Sequence, residues 1–97
     1  MLNAIVLYTT PSCSYCVRAK TLLNRRNLTW SEVDVSADEQ REWLVGETGR
    51  TTVPQIRIGS RWVGGYTDLA ELDQSGELAR LVATPSSSGD QSAASTK

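Results

Sequence analysis

The alternation of apolar and polar positions divides the chain into short elements. Asn3 to Tyr8 (NAIVLY) is a compact apolar, β-leaning run that ends in turn-type residues, so it reads as a buried strand. The period then changes. Between Cys13 and Arg26, residues Cys16, Ala19, Leu22 and Leu23 recur at helical intervals, with Arg18, Lys20, Asn24 and Arg25 on the other side. Arg25 and Arg26 suit the negative end of that helix, and Asn27 follows as a stop. Thr29 to Val35 alternates and predicts a second strand, and a strand, helix, strand order predicts a parallel crossover. Ser36, with Glu39 three residues on, predicts a capping box for a second helix over Ala37 to Thr48, closed by Gly49. Gln55–Ile58 and Arg61–Val63 flank Gly59-Ser60 as a hairpin. Beyond the Gly64-Gly65 break, Thr67 or Asp68 is the expected cap of a third helix through Leu72, and Gly76 interrupts before ELARLVA resumes helical spacing.

After Val82 no large apolar side chain occurs, so residues 85–97 form a polar tail that buries too little surface to offset its ordering entropy. The remaining 1–84 are expected to build one domain. A formal charge of −1 gives no electrostatic case for nucleic acid or an anionic membrane. The N-terminus has no basic start, long apolar run or cleavage site, and no stretch approaches a membrane span, so the expected location is the reducing cytoplasm.

That location bears on the two cysteines, Cys13 and Cys16, two residues apart ahead of a helix. A zinc site needs four ligands, and the chain has no histidine and no third cysteine. A structural disulfide across so short a loop would remove little unfolded-state entropy. Redox exchange has a physical mechanism. Cys13 at the helix N-terminus meets unpaired backbone N–H groups that stabilise its thiolate, and Cys16, one turn further in, is more enclosed. Cys13 is therefore the expected attacking sulfur and Cys16 the resolving one.

The stretches YTTPSCSYC, RTTVPQI and GGYTDL, in that order, make the sequence resemble the glutaredoxins, dithiol members of the thioredoxin-like superfamily, from about Ala4 to Val82. The resemblance implies an α/β thioredoxin-like fold, a four-stranded mixed sheet flanked by helices in the order βαβ-α-ββ-α. It also implies an oxidoreductase that uses glutathione to reduce protein disulfides and glutathionylated proteins. By position, Cys13 would form the mixed disulfide with glutathione and Tyr15 would pack beside it. Pro54 would follow a cis peptide bond, leaving Val53 to pair with the peptide backbone, with Thr52 alongside. Thr67 and Asp68 would hold the γ-glutamyl end and Arg41 the glycine carboxylate, and Gly65 would belong to the glutathione site as part of the bend that brings the helix start toward the groove.

The residues also have plainer readings: Thr67 and Asp68 as helix caps, Arg41 as a solvated charge, and Trp30, Trp43 and Trp62 as packing aromatics. Two positions depart from common members of the family. Thr10 replaces a frequent basic residue, and Ser14 replaces a proline between the cysteines. A monomer is expected. One alternative is a homodimer bridged by a [2Fe–2S] cluster through Cys13 of each chain and two glutathiones, since one accessible cysteine cannot supply four thiolates. Another is a glutathione-independent reductant served by a thioredoxin reductase.

Overall fold

The computed structural model describes residues 3–83, so the expected tail at 85–97 lies outside the described residues. The element order is β1 (Ile5–Thr9), α1 (Ser14–Arg25), β2 (Ser31–Asp34), α2 (Asp38–Thr48), β3 (Gln55–Ile58), β4 (Arg61–Gly64), α3 (Tyr66–Ser75) and α4 (Glu77–Ala83). The four strands form one mixed sheet in the order β2-β1-β3-β4. β1 runs parallel to β2, and antiparallel pairing joins β1 to β3 and β3 to β4. This is the thioredoxin-like architecture that the sequence predicts.

The alternation within β1 explains why the sheet is covered on both faces. Ile5 and Leu7 point to one side and join Ile56 and Ile58 with Ala19, Leu22 and Leu23 of α1, Leu69 of α3, and Leu78 and Val82 of α4. Tyr8 points to the other side and meets Val35 and Leu44 of α2, with Val6, Val33, Val53 and Trp62 packed around them. The tryptophans behave as packing residues to different degrees. Trp30 and Trp62 lean on the two clusters, while Trp43 stacks near Tyr8 at 5.6 Å and remains 46% exposed.

Chain ends of the helices follow local chemistry. At the end of α1, Asn27 adopts φ 58°, and the amides of Asn27 and Leu28 donate to Asn24 and Leu23 carbonyls at 3.0 Å each, a Schellman closure with asparagine in the glycine place. Two expected caps shift. Ala37, not Ser36, is the N-cap of α2, because the Ser36 amide and hydroxyl both bond the Asp34 carboxylate, at 2.8 and 2.7 Å. The N-cap of α3 is Gly65, so Thr67 and Asp68 lie inside the first turn. Among the described residues no helix is long and apolar enough to cross a membrane.

Candidate active site

The β1–α1 turn places Cys13 as the N-cap of α1, in an extended conformation with φ −96° and ψ 113°. Its sulfur accepts a hydrogen bond from the Cys16 amide at 3.1 Å, taking the place a serine hydroxyl fills in ordinary caps. α1 carries no acidic residue in its first turn, so nothing there opposes the positive end of the helix. On the other side of the sulfur, the Cys13 thiol lies 3.5 Å from the Val53 carbonyl oxygen, and the Val53-Pro54 peptide bond is cis.

Both cysteines are free thiols, and their surroundings differ. Cys13 is half-buried, whereas Cys16 is 2% exposed. Burial pushes the Cys16 thiol up from 9.0 to about 12, and its contact with the Cys13 sulfur adds to this, while the Thr10 backbone and the Lys20 charge act in the opposite direction. The pair thus consists of one reachable sulfur at a helix start and one enclosed sulfur held as a thiol.

Beside Cys13 runs a groove of about 330 Å³. Seven of the nine expected glutathione residues line it: Tyr15, Thr52, Val53 and Pro54 on one side, Gly65, Thr67 and Asp68 on the other. Cys13 is joined to the groove through its Val53 contact. Arg41 is not part of the lining and sits exposed on α2. Tyr15, 51% exposed, is flanked by the Tyr66 ring at 6.1 Å and by the Arg18 guanidinium 5.2 Å from its centroid.

The far end of the groove is built by the start of α3. The Asp68 carboxylate reaches back to accept from the Gly65 amide at 3.0 Å, half of a capping box. The first-turn amides of Thr67 and Asp68 have no intrahelical carbonyl to bond, so they remain as donors at the positive end of the helix. Gly64 permits this approach. It adopts φ 119°, and a Cβ there would run into the Asp68 carboxylate.

Arg50 and Tyr66 line the groove and went unassigned in the sequence, as did Gln55, which lies outside the lining. Arg50 pairs with Asp68 at 3.3 Å, so a cation and an anion share one end of the groove. Its only signal was its place at the head of RTTVPQI. Gln55, buried, donates from Nε2 to the Thr52 carbonyl at 2.9 Å and so fixes the loop ahead of Pro54. Among the described residues no group of three or more His, Cys, Asp or Glu side chains is gathered to hold a metal ion, so a [2Fe–2S] cluster would need a second chain and outside thiols.

Comparison with known proteins agrees with this geometry. The family model described as Glutaredoxin matches residues 5–63. The chain is similar to Glutaredoxin 1 of Rickettsia typhi, with 41% identity over 87% of this chain and 84% of that protein. Among solved structures it resembles the glutaredoxin of Brucella melitensis, at 43% identity and a TM-score of 0.76 over 84% of this chain and 89% of that one. It also resembles the buckwheat glutaredoxin–glutathione complex, at 25% identity and a TM-score of 0.76 over 82% of this chain and 76% of that one.

Proposed function

The chain belongs to the glutaredoxin family and is a thiol–disulfide oxidoreductase, and from that premise we propose that it draws its electrons from glutathione to reduce protein disulfides and glutathionylated cysteines. The observation that carries this reading is the asymmetry of the two sulfurs: Cys13 is half-buried at the helix start beside the groove, and Cys16 is enclosed one turn on. The glutathione-bound state of the buckwheat relative supports the choice of ligand.

In this reading the Cys13 thiolate attacks a substrate disulfide, and the Cys16 amide steadies the sulfur. The Cys13–substrate mixed disulfide forms as the other substrate sulfur departs and takes a proton. Cys16 then attacks Cys13, releasing the reduced substrate and leaving a Cys13–Cys16 disulfide. Two glutathione thiols return the pair to the reduced state and leave as oxidised glutathione. A glutathionylated substrate needs Cys13 alone, because a second glutathione can resolve the adduct.

The groove suits the tripeptide by charge. The α3 amides and Arg50 face its carboxylates, the Asp68 carboxylate faces its ammonium, and Val53 offers its backbone. The protein acts as a monomer in the cytoplasm, where reduced glutathione is available. Cys13→Ser should abolish turnover in a glutathione-coupled assay, while Cys16→Ser should lose reduction of protein disulfides and keep deglutathionylation. Turnover by Cys13→Ser would overturn the assignment.

A further inference from the structure

Cys16 sets an electrostatic problem for its own step. Only a thiolate attacks a disulfide, yet burial and the neighbouring Cys13 sulfur keep Cys16 protonated near neutral pH. A second cavity of about 300 Å³ opens beside it, lined by both cysteines together with Thr9, Lys20, Glu32 and Asp34. Lys20 is the one cation among the residues lining that cavity; it follows Cys16 by four positions on α1, one turn along, so the structure brings it beside Cys16 and not to the opposite side of the helix, where the sequence pattern set it. Its ammonium lies 2.7 Å from the Glu32 carboxylate of β2, which also accepts from the Thr9 hydroxyl at 2.6 Å. Thr9 is buried at the end of β1, so the carboxylate, and through it the ammonium, is tied to the sheet.

We propose that Lys20, anchored by Glu32 and Thr9, is the positioning charge of the resolving step, its ammonium stabilising the Cys16 thiolate as that sulfur turns on the mixed disulfide. The proposal rests on the reading of Cys16 as the resolving thiol. The surrounding groups agree with it. Lys20 and Thr9 hold the Glu32 carboxyl below the usual carboxylate range, so it stays anionic and keeps its grip on Lys20. Asp34 is turned to the Ser36 amide and hydroxyl. Once Cys13 is bonded to a substrate sulfur, it carries no negative charge to oppose Cys16, and the attraction of Lys20 remains.

In the step itself the Cys16 proton leaves to solvent through the cavity. A bond forms between the Cys16 and Cys13 sulfurs, and the bond from Cys13 to the substrate sulfur breaks. The electron pair goes with the substrate sulfur, which takes a proton from solvent. That sulfur is reduced, and the cysteine pair is oxidised.

Lys20→Met keeps the aliphatic stem and removes the charge. Losing one opposite charge at a partly solvated site raises a thiol pKa by about one unit, which lowers the thiolate fraction about tenfold, while the more basic sulfur regains about threefold in nucleophilicity. The net loss is about threefold in the resolving step alone. The readout is the ratio of two rates in the full-length protein across a range of pH: reduction of a peptide with an internal disulfide, which needs Cys16, against deglutathionylation of a glutathionylated peptide, which does not. Lys20→Met should lower that ratio about threefold and displace its pH profile upward by about half a unit, and Lys20→Arg should restore both. An unchanged ratio, or Lys20→Arg as deficient as Lys20→Met, would overturn the proposal. Cys16→Ser separates the two ideas. If it reduces the internal disulfide as fast as the unaltered protein, the resolving role of Cys16 itself fails.

Discussion

Replacing Cys16 with alanine should flatten the alkaline loss of stability of the reduced protein. In the folded chain burial and the Cys13 sulfur push this thiol from 9.0 to about 12, so it holds its proton about three pH units longer than in the unfolded chain. Above about pH 9 the unfolded state therefore releases a proton that the folded state keeps, and unfolding gains in free energy as pH rises. The contribution of Cys16 is fully present below the unfolded value and is lost progressively as pH climbs through the folded one. At about 1.4 kcal/mol per pH unit the limiting loss is about 4 kcal/mol, with about 2 kcal/mol gone by about pH 10.5. Urea unfolding under reductant at about pH 8 and about pH 10.5 measures it, in the unaltered protein and in Cys16→Ala. Any cavity cost of the substitution appears at both pH values and cancels. The unaltered protein should lose about 2 kcal/mol more than the variant between the two conditions. Equal losses would refute the claim that the folded state holds Cys16 as a thiol.

Two further substitutions bear on the groove. Asp68→Asn keeps an oxygen for the Gly65 amide, so the melting temperature should change little, while loss of a charged partner for the glutathione ammonium should raise the glutathione KM about tenfold or more; an unchanged KM would remove Asp68 from the ligand site. Arg50→Ala should raise the glutathione KM more than Arg41→Ala does, because Arg50 lines the groove and Arg41 does not; the reverse order in steady-state kinetics would favour the position expected from family resemblance.

The elements most legible in the sequence were those whose signal is local. The helical spacing of Cys16, Ala19, Leu22 and Leu23 located α1, and the same four side chains are its buried face. Gly49 ended α2 as expected, and Gly76 closed α3 three residues past the expected end at Leu72, each glycine in a left-handed conformation. Caps were harder, because a polar side chain near a helix start has several partners within reach. The Ser36 hydroxyl found Asp34 behind it, and Asp68 reached backward to Gly65. The site divides the same way. Cys13 and Cys16 were evident from spacing, and their unequal burial follows from one standing at the cap and the other a turn inside. Arg50 was missed because its relevance arises only when the loop ahead of Pro54 is brought against the start of α3, a contact between residues 18 apart that no periodicity encodes. The same holds for the Lys20–Glu32 pair, which joins α1 to β2.

The central claim is that Cys13 is the sulfur that takes glutathione. The most direct measurement is peptide mapping by mass spectrometry after Cys16→Ser is mixed with oxidised glutathione, since this variant retains a single thiol and cannot resolve the adduct. One glutathione should be found on the peptide carrying Cys13, removable by reductant. A chain that stays unmodified under conditions that glutathionylate an exposed model thiol would contradict the account.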